Sequence, residues 1–127
     1  MLQIKRVYAP VMETDGQRIL VDRLWARGRS KEQAALTDWA KVIAPSTMIR
    51  QQFGHDPNQF PTFVTAYTAE LAVNPATPKF IEQVATGLEQ GNVTLVYGAK
   101  DELHNNAVVL KAYLLTQLPA KLTKVTD

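Results

Sequence analysis

Asp22, Arg23, Trp25 and Arg27 fall within one six-residue segment, and Gly28 follows it. A guanidinium group is planar, always charged and forked, so two of them beside an indole and a carboxylate suit recognition of phosphate or carboxylate. The other arginines are Arg6, Arg18, Arg29 and Arg50, which places all six in the first 50 residues. A second polar group gathers at Lys100, Asp101, His104, Asn105 and Asn106. His55 follows Gly54 and, with an ordinary pKa of about 6.5, suits ligand contact or acid–base work. The candidate ligand-binding residues are therefore Arg23, Trp25, Arg27, Gly28, Arg50, Lys100, Asp101 and Asn105. Any catalysis would rest on His55, Asp22 or His104. Each has a plain structural alternative. Asp22 can pair with an arginine and fix its loop, Trp25 and Trp39 can pack in the core, and Gly28 can simply permit a turn. Asn105 and Asn106 can cap a helix, and His55-Asp56-Pro57 reads as a capping turn.

Several elements must position these groups. Leu2 to Tyr8 alternates as a strand does, Asp15-Gly16 marks a turn, and Arg18 to Asp22 is a second strand buried on both faces. The loop between them is too short for a crossover helix, so the two strands are antiparallel neighbours or are separated by another strand. Ser30 with Gln33 forms a capping box that starts a short helix. Thr37 to Ile43 reads as a third strand or a continuation of that helix, and the alternation of Trp39, Lys41 and Ile43 with Ala40 and Val42 leans toward strand. Pro45-Ser46 then caps a helix from Thr47 to Phe53, which Gly54 terminates. Phe60, Phe63, Val64, Tyr67 and Leu71 repeat at helical spacing. Another helix runs from Pro78 to Gln90, capped by Thr77 and ended by Gly91. Val93 to Ala99 is a buried strand, and Asn105 to Leu118 the last long helix.

Strands interleaved with helices predict a single layered α/β domain over 1–118, with a mainly parallel or mixed sheet flanked by helices. Residues 119–127 are expected to form a flexible tail. In such sheets ligands bind beyond the carboxyl ends of the strands. If the strands ending at Asp22 and Ala99 are parallel neighbours, Arg23, Arg27, Lys100 and the amides at the start of the last helix surround one anion. Arg50 and His55 then add contacts.

Composition narrows the classes. The chain has 127 residues, 46% hydrophobic and 20% charged, enough for one packed domain. It has no cysteine and two histidines, which argues against disulfides, thiol chemistry and a structural zinc site. Asp22 and Asp101 are too far apart in sequence to argue for magnesium, and no cofactor is expected. Nucleotide-binding glycine loops and hydrolase signatures are absent. No apolar run is long enough to span a membrane and no leader pattern is present, so a cytoplasmic location is expected. A net charge of +2 is small for a nucleic-acid binder. Its distribution is uneven, because residues 1–50 hold nine bases and five acids.

Seven strings carry a family resemblance: KRVY, DGQRILVDRLWARG, WAKVIAPS, IRQQFGHDP, AYTAEL, VTLVYGAKD and HNNAVVLKAYL. Together they resemble the YeaO-like family, DUF488, from Lys5 to about Leu115. The segment Leu20 to Trp25 with Arg27-Gly28 is the most specific part. Ala26 departs from the proline usual there, which removes no functional group. The resemblance implies a small bacterial α/β protein and brings no established activity with it. It maps the family motif onto Arg6, Tyr8, Asp22, Arg23, Trp25, Arg27, Gly28, Pro45, Ser46, Arg50, His55, Asp56, Tyr97, Lys100, Asp101, Asn105 and Asn106. Polar types dominate that set, which a purely structural motif would not require.

The reading favoured by these residues is a site for a small phosphate- or carboxylate-bearing ligand, with turnover left open. The alternatives are nucleic-acid binding, disfavoured by the low net charge, and a ligand-free interaction or dimer module. In the last case the motif residues would pair with one another. The sequence does not fix the oligomeric state.

Overall fold

The computed structural model describes residues 1–123 and has the α/β architecture expected. The chain runs through β1 (Leu2–Arg6), a 3-10 turn at Glu13–Asp15, β2 (Gln17–Leu20), α1 (Lys31–Ala34) and β3 (Asp38–Trp39). It continues through α2 (Thr47–Phe53), α3 (Phe60–Val73), α4 (Thr77–Gln90), β4 (Val93–Tyr97), α5 (Asn106–Gln117) and α6 (Ala120–Thr123). No helix among the described residues is long and apolar enough to cross a membrane.

The sheet order is β1-β4-β2-β3, and every pairing is parallel. Leu95 of β4 lies opposite Ile4 on one side and Ile19 on the other. β1 and β2 are therefore the separated pair and not antiparallel neighbours. Residues 7–16 carry the chain back across the sheet without a helix. An extended chain spans about 3.3 Å per residue, which suffices for that return. The return ends at Gly16, whose φ is +61°. A Cβ there would lie 2.0 Å from the Asn92 carbonyl oxygen, so glycine alone lets the two segments meet.

β4 is buried along its whole length, and Ile19, Leu20 and Val21 are fully buried. The pleat sends alternate residues to opposite faces. Ile19, Val21 and Leu95 join Phe63, Tyr67, Val84 and Leu110 in the larger core on the helical side. Leu20 and Val96 join Val7, Ala26 and Ala34 on the other side, with Trp25 and Trp39 packed against them. The segment after β2 thus forms the second covering layer of the sheet.

Capping follows the sequence closely. Ser30 and Gln33 form the expected box, Ser46 caps α2, and Gly54 closes it with φ +55°. Two expectations need correction. The predicted strand over Thr37 to Ile43 is extended only at Asp38–Trp39 and then tightens into a 3-10 turn at Lys41–Ile43. Ile43 must enter the core, where its carbonyl accepts the Tyr67 hydroxyl at 2.7 Å. Thr77 is the first residue of α4 and not its cap. Asn74, three residues earlier, accepts the Ala76 amide on its side chain and the Thr77 amide on its carbonyl. Within the segment from residue 119, Ala120–Thr123 form the helical turn α6, and residues 124–127 of the expected tail lie outside the described residues.

Candidate functional site

The carboxyl ends of β1, β4 and β2 open into one cleft of about 550 Å3. That is within the size range of small-molecule sites. β2 and β4 are parallel neighbours, which is the condition the sequence reading required. The loop after β2 supplies Asp22, Arg23, Trp25 and Arg27 to the walls. The loop after β4 supplies Lys100, Asp101 and Asn105, and the α2 end supplies Arg50 and His55. Of the candidate ligand-binding and catalytic residues, Gly28 and His104 lie outside the lining. Gly28 has φ +76° with open space where a Cβ would sit, so its contribution is the turn.

Much of the motif holds the walls in place. Arg6 donates from Nε to the Ala99 carbonyl at 2.7 Å and from Nη2 to Gly98 at 3.2 Å, tying the β1 end to the loop after β4. Arg23 donates to the carbonyls of Pro45 and Ala44 at 3.0 and 3.3 Å, which anchors the second loop to the start of α2. Arg23 therefore lines the cleft with two of its nitrogens already engaged. The Tyr8 hydroxyl donates to the Arg27 carbonyl at 2.7 Å, and the guanidinium groups of Arg6 and Arg29 lie over its ring. Trp25 stacks edge-on against Trp39 and donates its indole N–H to the Arg29 carbonyl. The packing reading of Trp25 holds, although the residue also borders the cleft.

Asp22 occupies the floor. Its Oδ2 accepts the Gly98 amide at 2.9 Å and its Oδ1 accepts Nδ2 of Asn106 at 3.0 Å. Its carbonyl accepts the Trp39 indole. No arginine pairs with it among the described residues. Burial pushes its carboxyl above the ordinary carboxylate value, against the pull of those two hydrogen bonds and of the charges on Arg50 and His55.

The start of α5 is less open to an anion than expected. Asn105 is buried and takes the Val108 amide as the helix cap, while its Nδ2 donates to the Asp101 carbonyl. Asp101 turns both oxygens inward, to the Leu103 and His104 amides and the His104 ring. The Leu103 amide and the His104 ring hold the Asp101 carboxyl below its usual range. His104 packs its ring edge against Phe60 and faces away from the cleft lining. Asn105 and Asp101 thus shape the loop, and fewer main-chain donors remain for a ligand.

The cations behave differently from the other motif groups. Arg27, Arg50 and Lys100 make no side-chain hydrogen bond and no ion pair among the described residues. Arg27 and Lys100 are exposed, where a solvated charge is ordinary. Arg50 is half-buried, and its Nε is shielded from solvent without a hydrogen-bond partner. Buried donors are nearly always paired, so this one needs an explanation. In the same lining, His55 holds φ +57°, uncommon for a residue with a side chain.

Sequence reading missed Leu24, Phe53 and Phe63 in the lining and named Tyr8 only through the family motif; together they give the cleft an apolar wall. Tyr8 carried a signal, since it lies just past the end of β1 as Asp22 does past β2. Phe53 and Phe63 read as core residues and are core residues, and a lining edge of a core ring leaves no mark in a sequence.

A protein-family model described as "Inactive DUF488-N3 subclade" matches residues 1–126. The chain is 42% identical over 113 residues to "Uncharacterized protein YeaO" of Escherichia coli (strain K12), covering 89% of this chain and 96% of that one. It is 39% identical over 70 residues to "Uncharacterized protein Rv3073c" of Mycobacterium tuberculosis (strain ATCC 25618 / H37Rv), covering 55% of this chain and 59% of that one. The same figures hold for "Uncharacterized protein Mb3100c" of Mycobacterium bovis (strain ATCC BAA-935 / AF2122/97). No solved structure matches the chain.

Proposed function

The chain belongs to the YeaO-like DUF488 family, and on that premise we propose that it binds a small phosphate- or carboxylate-bearing molecule in this cleft without turning it over. The observation that carries the reading is Arg50, a half-buried guanidinium of the cleft lining that makes no side-chain hydrogen bond and no ion pair among the described residues. Arg27 and Lys100 border the same hollow and add two charges unpaired among the described residues. A forked donor of this kind is completed by an anionic oxygen.

The family description calls this subclade inactive, which supports binding over turnover. The residues agree. Asp101 borders the cleft, but its oxygens hold the Leu103 and His104 amides and the His104 ring, and that ring lies outside the lining. A concave site also suits a small molecule better than a duplex, which is read by an exposed basic face or a groove-entering helix.

Calorimetric titration with inorganic phosphate, sulfate and citrate tests the reading, with thermal melts alongside. Saturable binding with a higher melting temperature is expected, and Arg50→Ala removes both. An absence of any heat or melting shift with all three anions at low salt would sink it.

A further inference from the structure

The cleft holds an acid among its cations, and that acid limits what can enter. Asp22 faces the hollow with one donor on each oxygen, from Gly98 and Asn106. A carboxylate accepts about four hydrogen bonds, so accepting capacity is left over. No cation of the described residues pairs with it within 4.0 Å. An anionic group placed against Asp22 would meet like charge in a partly desolvated site, which is costly. A cationic group there would face Arg50 and His55, whose charges already act on Asp22. The chemistry left for that position is neutral and hydrogen-donating.

Resting on the anion-binding reading, we propose that Asp22 selects a bifunctional ligand. Its phosphate or carboxylate lies at Arg27, Arg50 and Lys100, and its uncharged end presents hydroxyl or N–H donors to the Asp22 carboxylate. Tyr8 and Leu24 cover the body between the two ends. A site built to accept such donors rejects an analogue that lacks them, because its own polar group is then left unpaired.

Four probes test this by titration: ribose 5-phosphate, guanosine 5′-monophosphate, phenyl phosphate and inorganic phosphate. The first carries hydroxyl donors, the second adds ring N–H donors, and the third has an apolar end. At least one donor-bearing probe is expected to bind ten-fold or more tightly than phenyl phosphate, and comparison of the first two separates hydroxyl from N–H recognition. In Asp22→Asn that preference should collapse, while phenyl phosphate binds as well or better. Equal affinity of all three esters for the unaltered protein overturns the inference and leaves anion binding standing. So does a preference that survives in a folded Asp22→Asn. If Asp22→Asn does not fold, the ratio measured on the unaltered protein decides. Failure of every probe, inorganic phosphate included, overturns both readings together.

Discussion

The side-chain amide of Asn106 donates to the Asp22 carboxylate at 3.0 Å and, with its other hydrogen, to the Val21 carbonyl at 3.0 Å. One residue on the first turn of α5 thereby fixes the acid at the floor of the cleft and the end of β2. Asn106→Ala strands two partly buried acceptors, for a loss of about 1–3 kcal/mol. It also removes a contact that favours the charged carboxylate. Urea melts should show the lower stability, and NMR titration should show the Asp22 carboxyl moved further upward. An unchanged titration would mean that Asn106 plays no part in tuning it.

Arg50 forms no hydrogen bond through its side chain among the described residues, so replacing it should cost the fold little. Arg50→Met keeps the stem's apolar contacts and removes an unpartnered buried donor. A melting temperature equal to or above that of the unaltered protein is expected, together with loss of phosphate-induced stabilisation. A large drop in melting temperature would show that the guanidinium serves the fold instead.

At the opposite end of the sheet Asp15 and Arg18 form a buried pair at 2.7 Å, with Lys5 on the other carboxylate oxygen. Arg18 also donates to the Ala34 carbonyl from two nitrogens. Asp15→Asn leaves a buried guanidinium short of its counter-charge, which costs about 3–5 kcal/mol. Chemical denaturation of the variant measures it, and a loss under 1 kcal/mol would remove the cluster from any account of stability.

The two aspartates give opposite pH dependences. Burial raises Asp15, but hydrogen bonds from Lys5, the Met12 amide and Arg18 outweigh it, and its folded pKa lies below the ordinary 3.8. Its stabilisation is present above that ordinary value and is lost as pH falls through the lower folded one. Asp22 lies above 3.8 when folded. Its contribution is complete below 3.8 and is lost as pH rises through the folded value. Asp22→Asn sets its amide against the Gly98 or Asn106 donor at every pH, so the pH trend carries the test: the variant's melting temperature relative to the unaltered protein should rise from pH 4 to pH 7. A relative melting temperature that falls over that range would contradict the assignment.

Gly16 and Gly28 both have positive φ, yet they should respond differently to alanine. At Gly28 the space is open, so the substitution pays backbone strain of about 1–2 kcal/mol. At Gly16 the new methyl would collide with the Asn92 main chain, and a loss of roughly 4 kcal/mol or more is expected. Comparable melting temperatures for the two variants would refute the steric argument.

The fold was legible where local chemistry dictates it. The Ser30–Gln33 box, the Ser46 and Gly54 caps and the fully apolar Ile19-Leu20-Val21 run all appear where the residues point. Strand order was not legible, because the partner of both β1 and β2 lies more than 70 residues later and leaves no local mark. Most of the candidate cleft could be read as residue types at strand ends. The division of labour within it could not. Arg6, Arg23 and Arg50 look alike in sequence, and only the carbonyls offered by Gly98, Ala99, Ala44 and Pro45 distinguish the engaged ones from the unengaged one.

The central place of β4 governs how the chain can assemble. β1 and β2 share no hydrogen-bonded edge, so β1 has no ladder, and β2 only its two-residue pairing with β3, until Val93–Tyr97 arrives between them. Closing so long a loop before any reward is gained slows folding. During synthesis β1 must wait without a partner, and β2 with only the short β3 beside it, until the ribosome has released Val93–Tyr97. A chain cut short at Gly91 should therefore gain at most the two-residue β2–β3 pairing and should clump or be degraded.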